Sequence, residues 1–376
     1  LFSFVWLLAL GTVSLPAQTK QAKKIGDFIE STSYNEHKRG AERTLQYYPE
    51  GDDFVCINGK NRFTRALYGS WSPFRLETSD RPVFAAYDKR NSKHIRFLLQ
   101  GRGLSVALDS IEFCEARYTA GRRTYLLKDA ALGKGTLSVS VLAFPDADGA
   151  VWRFSAKDLA EDMVLRCFIS EIRAKKLSRN GDMGADPPGC FEAPEKPQMQ
   201  KEYDLPLTDE VYLVLENLDL KLVSLDEGRR LYQKAEDARK TLASRIRFTT
   251  PDPYFNTLGG ALAVAADGIW DGQVWLHGAV GWRMPLSGWR AAYTGDALGW
   301  HDRARKHFDA YAASQVTDVP NTIPHPAQDS ALHLARSVKK WGTPQYSNGY
   351  ICRNPRRNNQ MHHYDMNLCY IDELLW

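Results

Sequence analysis

Between Asp267 and Gln315 the chain reads DGIWDGQVWLHGAVGWRMPLSGWRAAYTGDALGWHDRARKHFDAYAASQ. This stretch sets Trp270, Trp275, Trp282, Trp289 and Trp300 among His277, His301, Arg283, Arg290, Asp271, Asp296 and Asp302. Seven of the ten Trp and seven of the nine His lie from Trp270 onward, so the mixture belongs to one region rather than to the whole chain. A core can be filled by Leu, Ile and Val and does not require it. Indole faces beside carboxylate, guanidinium and imidazole groups suit a ligand with apolar C–H faces and many hydroxyls, which describes a carbohydrate. The plainer reading is a Trp-rich helix-packing interface whose polar groups are satisfied locally. Trp282-Arg283 and Trp289-Arg290 repeat an aromatic–cation pair seven residues apart. Those guanidiniums either grip a carboxylate of a uronic acid or stack on their neighbouring indoles.

Further carboxylates fall on predicted helices. Asp302 follows Trp300 and His301 in the first turn of one, where a negative charge is also favoured by the helix N-terminus alone. In the last stretch His362, Asp365, Cys369, Asp372 and Glu373 share one face by the helical rotation of about 100° per residue. That face is opposite an apolar stripe of Tyr364, Leu368, Ile371 and Leu375, and is either solvated or turned toward a funnel. His362 and His363 are adjacent, so their side chains diverge and cannot chelate together on a helix. Asp182 and Asp186 flank Gly184 in a spacing that could hold Ca²⁺, but the full calcium-loop pattern is absent. The six cysteines are scattered without a CxxC pair, and are expected to be buried small hydrophobes. No metal is therefore expected. GxSxG, a Walker-type loop and a GxGxxG at a strand–helix junction are all missing, so serine hydrolase and nucleotide-binding readings fall away and no cofactor is expected.

The elements that must position these residues change type once. From Thr44 to about Ser224 short runs of strand character recur between turn residues. Asp53–Asn58 and Phe63–Leu67 flank Asn58-Gly59, a strong hairpin signal. Two further runs flank Ala120-Gly121, and Leu137, Val139 and Val141 alternate with Thr136, Ser138 and Ser140. Many short strands at close spacing predict a sandwich rather than a parallel sheet. The stretch 178–208, rich in Pro, Gly and charge, reads as a long irregular loop. After Asp226, Leu231, Ala235, Ala238, Leu242 and Ile246 make one helical stripe. Asp252-Pro253 opens a second helix, with Phe255, Leu258, Leu262, Ala265 and Ile269 as its expected apolar face. A third helix follows Asp296 and a fourth runs from Asn359 to Trp376. That last stripe reaches Trp376 without a Gly, Asn or Pro stop signal, so part of a helical domain is expected beyond it.

Composition is that of an ordinary globular protein, with 43% hydrophobic and 25% charged residues in 376. The net charge of +4 and the lack of a Lys/Arg run exclude a nucleic-acid groove as the expected partner surface. Leu1–Leu15 is uncharged and apolar and is followed by Pro16-Ala17-Gln18, the pattern of a secretory signal cleaved after about Ala17. It is shorter than the roughly 20 apolar residues of a membrane span. A periplasmic or extracellular protein is expected, with no stable membrane insertion after cleavage. The expected organisation is a signal at 1–17, a β-sandwich at 25–225, a linker helix at 226–248 and a partial helical domain at 249–376.

A sandwich, a linking helix and then α-hairpins is the layout of the six-hairpin (α/α)6 glycosidases and sugar phosphorylases. Within that group the chain resembles a bacterial family, domain of unknown function 4450. The resemblance rests on NRFTRALYG (Asn61–Gly69), SRNGDMGADP (Ser178–Pro187), TPDPYFNT (Thr250–Thr257), HGAVGWRMPLSGWRAAYTGDALGWHDRA (His277–Ala304) and MHHYDMNLCYIDELLW (Met361–Trp376). It implies the start of an (α/α)6 toroid and an exported glycoside hydrolase acting on a plant or host polysaccharide fragment. Such hydrolysis needs two carboxyl groups, set about 6.5–9.5 Å apart in the inverting enzymes this fold commonly hosts. Asp302, Asp365 and Glu373 are the expected catalytic carboxylates. Trp275, His277, Trp282, Arg283, Trp289, Arg290, Trp300, His301 and His362 are the expected substrate contacts. A non-catalytic glycan-binding protein, a polysaccharide lyase and a sugar phosphorylase are the competing readings, and export argues against the last.

Overall fold

The structure is a computed structural model. It describes residues 46–60, 62–69, 71–88, 91–101, 103–159, 162–173, 190–278, 284–285, 292–315, 317, 328–329, 334–335, 349, 351–352, 354–356 and 364–375. Two antiparallel sheets occupy the chain up to Leu222. The first runs edge to edge through Tyr48–Glu50, Asp53–Ile57, Phe113–Thr119, Arg122–Lys128, Thr136–Ala143, Gly149–Lys157, Val211–Glu216 and Asp219–Leu222. The second runs through Gln200–Pro206, Val164–Ser170, Ser92–Gly101, Val83–Tyr87, Arg75–Ser79 and Phe63–Tyr68, with Leu104–Ala107 paired to Ser92–Gly101. The sheets pack face to face: Phe84 of the second meets Trp152 of the first edge-on at 5.4 Å, and Phe97 meets Phe154 at 5.2 Å. Alternation does the sorting. Leu137, Val139 and Val141 are fully buried in this shared core, while Thr136 and Ser138 on the opposite face are half-buried.

Asn58-Gly59 does not make a hairpin. Asp53–Ile57 pairs with Phe113–Thr119 in the first sheet, whereas Phe63–Tyr68 pairs with Arg75–Ser79 in the second. The short connection crosses between sheets, and Asn58 there has φ of +49°. Its backbone N–H donates to the Cys114 carbonyl and its Oδ1 accepts from the Cys114 N–H, both at 2.8 Å. A side chain at Gly59 would collide with Asp80 at about 2.5 Å, so glycine is needed for close approach rather than for a turn. The stretch expected to be irregular across 178–208 contains the edge strand Gln200–Pro206, paired with Val164–Ser170. Five of its seven residues are exposed, and its charged character, a common guard on sheet edges, hid the strand.

The change from strand to helix falls at Ser224. Helix α1 (Leu225–Ala243) opens with the Ser224 hydroxyl accepting from the Glu227 N–H and with Asp226 and Glu227 in its first turn. It ends at Ala243 rather than at 248. Its N-terminal half lies on the outer face of the first sheet, where Tyr232 and Ala235 pack with Leu142, Val151, Tyr212 and Val214. This explains why the Thr136–Ala143, Gly149–Lys157 and Val211–Glu216 strands are buried on both faces.

Helix α2 (Pro253–Gly268) is capped by Asp252, whose carboxylate accepts from the Tyr254 N–H at 2.8 Å, with Pro253 at the first position. Its buried face is not the expected one. Phe255 is 57% and Leu262 43% exposed, while Thr257, Gly259, Ala263, Val264, Ala266 and Gly268 face inward. Small residues win because the helix backbone lies directly against the sandwich end: Gly260 approaches Ala120 and Gly268 approaches the Tyr68 ring. Three further helices are described: α3 (Tyr293–Ala297), α4 (His301–Ala312) and α5 (Tyr364–Leu375). A small core of Ala263, Ala266, Trp270, Trp275, Ala292, Leu298, Trp300 and Ala304 ties α2, α3 and α4 together. None of the helices is long and apolar enough to cross a membrane, among the described residues.

Candidate functional site

A cavity of about 370 Å³ opens where the end of the sandwich meets α1, α2 and α4. Tyr68 and Gly69 at the end of a sandwich strand, Trp71 in the loop after it, and Pro145 of a hairpin form one wall. Leu242 and Arg245 near the end of α1, Asp267 in the last turn of α2, and Trp300 with Arg303 at the start of α4 form the other. The centre is Arg303. Its Nη1 donates to Asp267 Oδ1 at 2.7 Å, and its guanidinium carbon lies 4.2 Å from the Trp300 ring centre, 5.3 Å from Trp71 and 5.6 Å from Trp270. Arg245 adds a second guanidinium 5.0 Å from Trp300 and anchors itself by donating to the Leu298 carbonyl at 2.9 Å. Trp71 is 48% exposed and has φ of +20°, an uncommon conformation for a bulky residue. The cavity thus combines an accessible indole, a phenol and three guanidiniums, Arg303 and Arg245 held against Trp300 and Arg239 held by Glu236. Such a wall stacks on an apolar ring face and donates hydrogen bonds to hydroxyls or anions.

Trp275 and Trp300 do not offer the stacking faces expected of them. They are 1% and 6% exposed, and Trp300 reaches the cavity only as its floor beneath Arg303. Trp275 lies 4.8 Å from Trp270 and 6.4 Å from Trp300, and its Nε1 donates to the Ala266 carbonyl at the end of α2 at 3.2 Å. An indole buries the largest apolar area available to a side chain and carries one donor. Once that donor finds a carbonyl, packing is the more stable arrangement. The loop bearing Trp275 is fixed by two neighbours. Its backbone N–H donates to His307 Nδ1 at 3.1 Å, and Asp271 accepts from the Gln273 and Val274 N–H groups and from Arg356. Burial pushes the Asp271 carboxyl up, but Arg356 and the two backbone donors outweigh it and hold the group below its ordinary value. Burial also lowers His307 to about 4, against the smaller upward pull of Asp271, so the ring is neutral.

The remaining expected residues are distributed. Asp302 is exposed in the first turn of α4, next to Arg303. His301 is exposed, its Nδ1 2.7 Å from Asp296 Oδ1. His277 is half-buried and its N–H donates to the Met284 carbonyl at 2.9 Å. On α5 Glu373 is buried at 4% with Tyr370 on the same side, Asp372 is exposed and Cys369 is half-buried. The expected apolar stripe of α5 is turned outward instead, with Leu368 69%, Ile371 53% and Leu375 82% exposed. Asp365 lies in the first turn of α5, and its side chain is outside the described residues, as are Trp282, Arg283, Trp289, Arg290, His362, Asp182 and Asp186. Among the described residues no three His, Cys, Asp or Glu are grouped as a metal ion would require.

Sequence reasoning missed Trp71, Arg303, Asp267 and Arg245. Trp71 carried a usable signal, a lone Trp in the turn-rich Ser70-Trp71-Ser72-Pro73, where no hydrophobic period demands it. Arg303 had none, since its partners lie on two other elements. No curated protein matches the chain. A bacterial glucoamylase solved in complex with acarbose is similar at 9% identity and a TM-score of 0.41, over 70% of this chain. The chain spans 55% of the length of that structure. Residues 91–227 match the family model described as domain of unknown function (DUF4450).

Proposed function

We propose that the chain handles glycans in the cavity between sandwich and helices, as part of an exported glycoside hydrolase with an (α/α)6 toroid. The observation that carries this reading is the half-exposed Trp71 indole facing a cavity whose other polar groups are immobilised. A sugar ring stacked on that indole would meet Arg303 and Arg245 without paying to order them, because both already lie against Trp300. Export is supported by the apolar Leu1–Leu15 segment ending in small residues at Pro16-Ala17. Asp302, Asp365 and Glu373 are the proposed catalytic carboxylates. Asp302 supports this best by position, one residue before Arg303 and open to solvent.

One observation favours a non-catalytic glycan-binding protein as a second reading. Asp267 is the single carboxylate lining the cavity among the described residues, and it is committed to Arg303. Hydrolysis there would need a second carboxyl group flanking the scissile bond. The two readings separate in one experiment. Wild-type protein and Trp71→Ala are titrated with neutral and acidic oligosaccharides while reducing-sugar release is followed. Glycan binding should weaken roughly tenfold in the variant, the 1–2 kcal/mol expected of a stacking indole. Release of reducing sugar by the wild type selects the hydrolase, and binding without turnover selects the binding protein. Undiminished binding by Trp71→Ala, or no glycan bound by either protein, refutes the site.

A further inference from the structure

On the far side of α1 from the cavity a second groove of about 620 Å³ runs between that helix and the outer face of the first sheet. It is built from charge rather than from apolar surface. Arg122 and Arg153 rise from neighbouring parts of the sheet, and Arg229, Arg230 and Lys240 come from α1. Against these five cations stand two carboxylates, Glu210 and Glu236. Both carboxylates are saturated. Glu236 accepts from Arg239 twice, at 2.8 and 2.7 Å, and from Arg122 at 3.0 Å, with Lys240 at 3.8 Å. Glu210 accepts from the Tyr212 hydroxyl at 2.6 Å and from Arg229 at 2.7 Å, with Arg153 at 4.0 Å. Burial alone pushes both carboxyls up, yet these donors bring each below its ordinary value, so both are ionised and fully used.

The cations are not used up. A guanidinium carries five N–H donors. Arg122 spends two groups, on Glu236 and on Thr119 Oγ1, and its buried Nε has no hydrogen-bond partner among the described residues. Arg153 lies with its guanidinium carbon 4.9 Å from the Tyr232 ring, and its side chain is 42% exposed. That stack fixes a planar fork without consuming its donors. Tyr232 is itself tied down by a 2.6 Å hydrogen bond between its hydroxyl and Ser140. A buried donor without an acceptor is costly, and an excess of preorganised cations raises the local concentration of anions. The groove presents no exposed indole, so it would read a charged substituent and not a ring face. Its volume is in the range of small-molecule sites and far exceeds one free oxyanion.

We propose that this groove binds an oxyanion, a sulfate ester or carboxylate, borne on a glycan chain, with Arg122, Arg153 and Arg230 as its principal donors. That the carrier is a glycan rests on the function proposed above; the anion site itself does not. The test uses the intact protein at fixed ionic strength with three probes: inorganic sulfate, a sulfated oligosaccharide, and the same oligosaccharide after desulfation. Arg230 and Lys240 are both exposed on α1, so Arg230→Glu with Lys240→Glu removes charge without touching the core. The sulfated probe should bind the wild type, and the double variant should bind it at least about tenfold more weakly, with affinity falling as salt rises. Should the double variant misfold, Arg230→Gln with Lys240→Gln is expected to lose about threefold, an exposed pair's usual share. In Trp71→Ala, whose cavity binding is weakened, the sulfated probe should still bind more tightly than the desulfated one, which separates this site from the cavity. Equal binding of the desulfated probe, or equal binding by the charge variants, overturns the proposal. Inorganic sulfate bound as tightly as the sulfated oligosaccharide overturns the glycan as carrier. Failure of this groove together with intact Trp71-dependent binding of neutral oligosaccharides sinks only the groove.

Discussion

His307 links acid stability to the wall behind the cavity. The ring is 1% exposed on the inner face of α4, in contact with Trp275, Phe308 and Tyr311. Its Nδ1 accepts the Trp275 N–H, so the neutral ring carries its proton on Nε2. Burial lowers its pKa from 6.5 to about 4. A depressed histidine stabilises the fold fully above the unfolded value of 6.5 and loses that contribution as pH falls toward 4, because the unfolded chain takes up the proton first. At about 1.4 kcal/mol per pH interval the full contribution is about 3 kcal/mol, most of which is gone at pH 4.5. His307→Asn retains an acceptor for the Trp275 N–H and does not titrate. The variant should be less stable than wild type at pH 7, since it leaves a void where the two ε ring atoms stood, costing about 1–2 kcal/mol. Denaturant unfolding followed at pH 7 and pH 4.5 should show that gap shrinking by about 2–3 kcal/mol, since only the wild type loses this contribution. A gap that stays constant between the two pH values refutes the buried neutral histidine. Because His307 holds the loop of Trp275, which backs Trp270 and Trp300, glycan affinity should fall over the same acid range.

Two further outcomes follow from the contacts around the cavity. Gly268→Ala would set a methyl group about 2.5 Å from the Tyr68 ring, so the variant should lose roughly 1–3 kcal/mol in thermal unfolding and weaken glycan binding through the displaced phenol; an unchanged melting temperature contradicts the close helix–strand approach. Asp302→Asn, Asp365→Asn and Glu373→Gln, each assayed for reducing-sugar release, should include at least one variant slowed by roughly 10²–10⁴ with substrate binding retained; full activity in all three removes these carboxylates from the chemistry.

The parts of the fold that could be read from the chain were those set by local rules. Asp252 with Pro253 fixes a helix start through backbone N–H groups that the chain itself must satisfy. The alternation of Leu137, Val139 and Val141 fixes a strand face in the same way. What could not be read depends on which surface arrives opposite. Asn58-Gly59 suits a hairpin, but Asp80 packs onto Gly59 and the chain crosses to the other sheet. In α2 the apolar residues Phe255 and Leu262 advertise one face, yet the face turned to the sandwich end is rich in glycine and alanine, with Leu258 and Tyr254 half-buried at its edge. Hydrophobicity marks which residues prefer burial, whereas close backbone approach marks which can achieve it.

The same distinction governs the candidate site. A Trp, His and Arg mixture is consistent with both a packed interface and a ligand wall, because the indole suits either use. In this protein the two uses separate by element. Trp270 and Trp275 face inward between α2 and α4, and Trp275 satisfies its single donor on a backbone carbonyl. Trp71, from a sandwich loop some two hundred positions earlier, keeps an accessible face. Arg303 joins the two sets, since its guanidinium lies beside Trp71, Trp270 and Trp300 at once while Asp267 holds its end. On the proposed function the buried indoles would act on a ligand indirectly, by fixing the plane of that cation. Lys at 303 would keep the charge but lose the planar stack and the fork. The candidate site belongs to neither the sandwich nor the helices alone, and the sandwich loop is as much a part of it as the Trp-rich segment.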